Sequence, residues 1–351
     1  MMARLPNYAV PTGEFIQEWM DDKGVTGADM ARRLGVSAKH VSELLSGGVA
    51  LTPAIAVALE SVTGVPADHW SRMEALYRAD LVRLAAEAEL VSQYERVKAF
   101  PLKFLRRLGF ITAGSDDKPG VVRQFYQFFR VTSMDSLEVT WRHGVAYRRA
   151  AAANSNSEAL LTWLTVAERD IEFASLAHFD KDALRRLIPV LRAMSCDTPS
   201  AYVKSVTSAL AGVGVALCLV PEVPGLGIHG ATRWINGHPV IQLSLRGKTD
   251  DQLWFTLFHE IGHVMLHDAR GLFLSGIDSQ QEAEADQFAA DTLIPPLMAD
   301  RLPLSRNLTD VRQFAAEIGI APGVVLGRIQ HETGDYGWGH QLKQHFEFSY
   351  H

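Results

Sequence analysis

Apolar side chains recur every three or four residues through most of this chain, which predicts a mainly helical protein. Phe15, Ile16, Trp19 and Met20 line one face of a helix over 14–22, ended by Lys23 and Gly24. Met30, Ala31 and Leu34 define a second over 27–34 that stops at Gly35, and Ser37 is placed to cap a third over 38–45. Thr52 and Pro53 open a fourth over 54–62, since proline at the first helical position forfeits no hydrogen bond. Pro66, Ala67 and Asp68 begin a longer helix running past Tyr77, and an Ala-, Glu- and Leu-rich stretch over 79–98 reads as helix up to Pro101. A turn cluster at 114–120 marks a boundary or loop, with further helices predicted over 121–130, 159–174 and 181–194.

Beyond Asp197, Thr198 and Pro199 the pattern changes. Short runs with β-branched residues over 215–220, 228–235 and 240–245 predict strands, and Asn236-Gly237 signals a hairpin between the last two. Helical spacing returns over 249–267, 280–293, 308–318 and 322–332. The longest uncharged stretch, 205–221, is broken by Gly212 and Gly214 and falls short of the roughly 20 residues that span a bilayer. No charged region followed by an apolar core opens the chain, so neither a secretion signal nor a membrane segment is expected.

Composition narrows the classes. With 351 residues, 47% of them hydrophobic and 21% charged, the chain reads as a globular protein of two or three domains, not a disordered, collagen-like or rod-shaped one. A net charge of -6 excludes a global field that draws the protein to nucleic acid, so any DNA contact must be local. The two cysteines, Cys196 and Cys218, form no disulfide framework or metal knuckle, which fits a reducing cytoplasm. Only the 13 histidines stand out.

Two of them, His259 and His263, flank Glu260 within LWFTLFHEIGHVMLH, where Leu253, Trp254, Leu257, Phe258, Ile261 and Val264 make a largely apolar helix. At about 100° per residue, side chains four apart share a face, so both imidazoles can grip one zinc ion. Glu260 then sits alongside, able to take a proton from metal-bound water whose pKa the ion lowers to about 7. In an apolar helix these three residues are costly unless something satisfies them. A catalytic zinc needs a third protein ligand. His267 lies about 12 Å along the helix from His259 at about 1.5 Å per residue, too far to share the ion, so a supporting or structural role is expected of it. The acidic stretch 281–289 is the better source. Glu282 is the first choice, with Glu284 and Asp286 as competitors, and Asp286 is placed to hydrogen-bond a ligand histidine's second nitrogen. Glu282 has an alternative use, as the partner of Ser279 in a capping box.

Residues 27–37 carry a helix-turn-helix pattern: Ala31 is small enough for close helix packing, Gly35 permits the turn, and Val36 and Val41 fill the core. The next helix would turn Ala38, Lys39, His40 and Ser42 outward, the right size for major-groove readout. Residues 1–85 hold 8 Lys and Arg against 10 Asp and Glu, a net of -2, so DNA binding would rest on few cations. Arg32, Arg33 and Lys39 supply them, with Ser37, His40 and Ser42 alongside, helped by dimerisation and by helix N-termini at phosphates. The competing reading is an ordinary protein-interaction bundle.

FHEIGHVMLH, followed by EAEADQFAADTLIPP, resembles the ImmA/IrrE-type zinc metallo-endopeptidases, whose pattern is a HExxH helix and then an acidic helix of the form ExxA(N/D)xFAxxLLxP. Glu282, Ala285, Asp286, Phe288, Ala289, Leu293 and Pro295 fall on that form, with Thr292 where leucine is usual. The resemblance implies zinc on the two histidines and the first glutamate, which favours Glu282. The stretches 147–170 and 327–332 are similar to longer members, so the likeness covers roughly 120–335. It implies narrow proteolysis, typically of a partner DNA-binding repressor, although many longer members act mainly as regulators. Residues 14–83 resemble the Xre-type domain of HigA-like antitoxins.

Together these readings predict an α+β, mainly helical protein: a helix-turn-helix bundle over 1–85, a helical intermediate region over 86–200, and a zincin-like HExxH peptidase domain with a small sheet over 201–351. The expected function is a cytoplasmic, homodimeric regulator that binds operator DNA, carries one Zn2+ per chain, and cleaves a protein partner or senses a signal. The alternatives are an antitoxin-like repressor that binds a cognate toxin, with a structural metal domain, and a sensor whose zinc changes DNA affinity without cleavage. Arg328, Tyr336 and His340 are candidate oxyanion donors. Trp19, Trp70, Trp163 and Trp254 read as core, and the isolated His69, His143, His178 and His229 as non-ligands.

Overall fold

The computed structural model describes residues 6–142, 156–244, 246–267, 272–274 and 279–346. The opening residues 1–5, His143, the stretch 147–155 and Leu245 of the third strand run lie outside the described residues. The chain divides into two units, Met1–Arg96 with Ala113–Gln124, and Val97–Thr112 with Phe125–His351.

The first unit is built from α1 (Thr12–Lys23), α2 (Gly27–Leu34), α3 (Ala38–Leu45), α4 (Pro53–Thr63) and most of α5 (Ala67–Val97). Caps set the short helices: Thr26 accepts the Asp29 N–H at 3.2 Å, Ser37 that of His40 at 3.1 Å, and Thr52 that of Ile55 at 3.3 Å. Gly35 takes the left-handed conformation that turns α2 into α3. Ile16, Met20, Met30, Ala31, Val41, Leu44, Leu59 and Trp70 form the core. The two helices predicted over 67–77 and 79–98 are one, because no glycine or proline interrupts the stretch, and the expected boundary at residue 85 falls inside it.

The second unit carries the other helices around a four-stranded mixed sheet, except that residues 118–124, which open the helix over 118–129, belong to the first unit. After α6 (Leu102–Arg107), α7 (Lys118–Phe129) and α8 (Met134–Arg142) come α9 (Ser157–Asp170), α10 (Lys181–Ala193) and α11 (Pro199–Ala211). Of these, α6 and α8 are short and have no counterpart in the sequence reading, whereas the last part of α11 falls in the uncharged run 205–221, which reads as a helix end turning through glycine into a strand. The sheet orders β1 (Ala216–Leu219), β3 (His238–Leu243), β2 (Gly230–Ile235) and β4 (Leu272–Leu274), with β1 and β3 parallel and the other pairs antiparallel. Asn236 at φ 51° and Gly237 at φ 81° make the hairpin turn that joins β2 to β3.

Helix α9 belongs to this body even though it lies in the stretch read as intermediate. Its Trp163 indole donates to the Val220 carbonyl at 3.2 Å, Gln242 on β3 donates to the Trp163 carbonyl at 2.7 Å, and Arg233 on β2 pairs with Glu168 at 2.6 Å. Helix α12 (Asp250–Leu266) is apolar almost all round and therefore buried. It packs on β2 and β3, on α13 (Ser279–Leu293) and on α16 (Pro322–Thr333); α14 (Pro296–Ala299) and α15 (Leu308–Ile318) complete the unit. No helix among the described residues is long and apolar enough to cross a membrane.

Candidate metal centre

The crossing of α12 and α13 is set by small residues. A Cβ on Gly262 would stand 3.2 Å from the Ala285 Cα and from the Phe288 ring, so a larger residue there would push the helices apart. The close approach brings the carboxylate of Glu282, on α13, to the two histidines of α12. Nε2 of His259 lies 3.1 Å from Nε2 of His263; Glu282 offers Oε2 at 3.4 Å to the first and Oε1 at 3.2 Å to the second. Among the described residues these three form the one group of metal-ligating side chains. The distance between the two Nε2 atoms fits a small tetrahedral ion, since bonds of about 2.0–2.1 Å at tetrahedral angles set ligand atoms about 3.3 Å apart, and the Glu282 carboxylate lies against both nitrogens. Two imidazoles and one carboxylate also match a catalytic zinc site, with a position left for water.

Around this triangle the polar groups are arranged in pairs. His259 Nδ1 lies 2.8 Å from Asp286 Oδ1 and donates to it, leaving Nε2 for an ion. His263 Nδ1 lies 2.9 Å from Nδ1 of His267, whose Nε2 is 3.0 Å from Glu284 Oε2. Glu284 therefore partners His267 while Glu282 lies against the His259 and His263 rings. Ser279 opens α13, and its side chain lies outside the described residues.

Glu260 is 1% exposed. Thr232, on β2, donates its hydroxyl to Glu260 Oε2 at 2.7 Å, and Oε1 has no hydrogen-bond partner among the described residues. Gly230 sits under this carboxylate: a Cβ there would be 2.3 Å from Oε1. Burial pushes the Glu260 carboxyl up to about 8, against the pull of His259 and the Thr232 hydrogen bond. Burial works against a charged His259, but Asp286, Glu282 and Glu260 outweigh it and raise the ring to about 10. Burial, helped by His259 and His267, holds His263 below the usual imidazole range against the pull of Glu282.

Helix α12 is held at its start by the segment around Gln344. Asp250 exchanges two 3.0 Å hydrogen bonds with the Gln344 backbone, and Asp251 accepts from Lys343 at 2.7 Å. Sequence reading had no signal for Thr232, Gly230 or Asp250, since each acts through a partner remote in the chain. Arg328 is engaged by Glu332 at 2.7 Å, and Tyr336 and His340 are exposed. Cys218 is buried, which pushes its thiol up to about 12 and keeps it unreactive.

In the first unit, Arg32, Arg33, Ser37, Lys39 and Ser42 are exposed and His40 is half-buried. Arg32 pairs with Asp29, and Lys39 lies 3.7 Å from Glu43, so part of the local positive charge is already matched.

Residues 16–70 match the helix-turn-helix domain family, and residues 216–330 match the IrrE N-terminal-like domain family. The chain is also similar to YddM, an HTH-type transcriptional regulator of Escherichia coli strain K12. The two are 32% identical over 71 residues, which is 20% of this chain and 74% of that protein. No solved structure matches the chain.

Proposed function

Because the chain belongs to the helix-turn-helix family of transcriptional regulators and carries an IrrE N-terminal-like domain, we propose that its second unit is a zinc-dependent endopeptidase acting on a protein partner. The observation that carries this reading is the cluster of His259, His263 and Glu282, whose two Nε2 atoms lie 3.1 Å apart with carboxylate oxygens 3.4 and 3.2 Å from them, beside a buried carboxylate on the metal-facing helix α12. Zinc held there would polarise a peptide carbonyl and make water acidic near neutral pH.

The chain's own residues supply the proton transfers. Glu260 takes the proton of the attacking water and returns it to the leaving amine, as general base and then general acid. Burial suits it to both roles, because it raises the carboxyl above the usual carboxylate range, so the proton it takes is held long enough to be returned. Thr232 occupies Oε2, so Oε1 is the oxygen left to exchange the proton. Asp286 keeps His259 in the tautomer that presents Nε2.

The helix-turn-helix domain binds operator DNA through the exposed face of α3, with Lys39, Ser42, His40 and the N-terminal Ser37, assisted by Arg32 and Arg33 of α2. The protein works in the cytoplasm as a homodimer with one Zn2+ per chain. A Glu260→Gln variant tests the enzymatic reading. Cells producing it should retain a partner protein that the unsubstituted chain removes, while operator binding and zinc content stay the same. An unchanged partner pool with both proteins would overturn the peptidase reading in favour of toxin binding or signal sensing.

A further inference from the structure

We propose that Glu284 and His267 form a hydrogen-bonded relay that orients His263 and fixes its tautomer, with both acting as positioning residues for the metal. This rests on the reading of His259, His263 and Glu282 as the ligand set. His263 presents Nε2 to the triangle, so as a neutral ligand it carries its proton on Nδ1. That N–H points at Nδ1 of His267, 2.9 Å away, which must therefore be an acceptor. A neutral His267 accepting at Nδ1 carries its own proton on Nε2, and Nε2 lies 3.0 Å from Glu284 Oε2. Every contact is satisfied by one assignment: His263 donates to His267, and His267 donates to Glu284. Reversing His267 would set two N–H groups against each other or move the His263 proton onto the ligating nitrogen.

The packing supports a positioning role. His267 ends α12 with extended backbone, φ -111° and ψ 167°, while its amide still donates to the His263 carbonyl at 3.1 Å. Its ring therefore stays over the preceding turn instead of leaving with the chain. Phe273 of β4 stacks on His263 at 4.7 Å and 13°, and lies 5.2 Å from the His267 ring, so one aromatic face backs both. One stretch of α13 then serves both ligand histidines: Asp286 reaches His259 directly, and Glu284 reaches His263 through His267.

The test is zinc affinity of the full chain, measured by competition with a chromophoric chelator, together with 15N NMR of the imidazoles in the zinc-loaded protein. His267→Phe should weaken zinc by about tenfold, the low end for partners of ligand histidines. Glu284→Ala should weaken it less, because Glu284 is half exposed to solvent, and should have no effect once His267 is phenylalanine. His267→Gln, whose amide oxygen can accept from His263, should recover part of the loss. The spectra should show His263 protonated on Nδ1 and His267 on Nε2; the opposite tautomer of His267 would overturn the relay even if the variants fail to fold. Equal Glu284→Ala losses with and without His267 would also overturn it. An unsubstituted chain that takes up no zinc would remove the ligand set itself, a separate failure.

Discussion

Thr232 Oγ1 lies 2.7 Å from Glu260 Oε2, a hydrogen bond between residues 28 positions apart that ties the sheet to helix α12. Glu260 is otherwise enclosed, with Gly230 directly beneath it. Thr232→Val keeps the shape and removes the donor, leaving a buried carboxylate without a hydrogen bond, a loss of about 1–3 kcal/mol. On the partner protein identified with Glu260→Gln, kcat should fall at least tenfold with KM and zinc content little changed, and Thr232→Ser should restore most of it. A fall in KM-dependent terms alone would place Thr232 in substrate binding instead. Gly230→Ala should lower kcat too, since its methyl would occupy the space of Oε1.

Zinc uptake should depend on pH through His259. The metal-free ring, raised to about 10, is protonated at neutral pH, and a ligand must be deprotonated, so binding releases a proton. Affinity should therefore drop about tenfold for each unit as pH falls from 8 to 6. Competition titrations at three pH values check this, and a flat profile would mean that no proton leaves the site. Saturating zinc should also raise the melting temperature of the second unit, and a chelator should reverse the gain.

Asp250 makes a separate pH prediction. Burial pushes its carboxyl up to about 6, with Asp251 adding to the rise and the Gln344 backbone hydrogen bond opposing it. A raised carboxyl favours the folded state at low pH, and that contribution is lost as pH rises from about 4 through 6. Asp250→Asn retains an acceptor for the Gln344 N–H without the charge. It should stabilise the protein by about 1–3 kcal/mol at pH 7 and by little at pH 4, an estimate from the size of the shift. Urea denaturation at both pH values is the measurement, and an equal gain at each would refute the assignment.

For the helix-turn-helix domain, Lys39→Glu reverses a charge on the exposed side of α3 that is only 3.7 Å from Glu43. Operator affinity should fall at least tenfold at fixed low salt, with a smaller salt dependence from the lost phosphate contact. Electrophoretic mobility at two salt concentrations reads both, and equal affinity at matched salt would remove α3 from the DNA interface.

The local features of this protein were legible in its sequence because their causes are local. Helices α2 and α3 begin and end where Thr26, Gly35 and Ser37 place caps and turns, and the hairpin follows from Asn236-Gly237. The i, i+4 spacing of His259 and His263 on an apolar helix pointed to a shared ion without knowledge of the fold, because helix geometry alone puts those rings on one face. Tertiary structure decided what depends on neighbours remote in the chain. The close crossing at Gly262 and Ala285 brings Glu282 against the histidines and sends Glu284 to His267. Thr232, Gly230 and the Gln344 backbone act on Glu260 and Asp250 across separations at which no periodicity survives. A pattern along one helix is set by its own rise and turn, whereas a partner from another element is selected only when the packed core brings the two together.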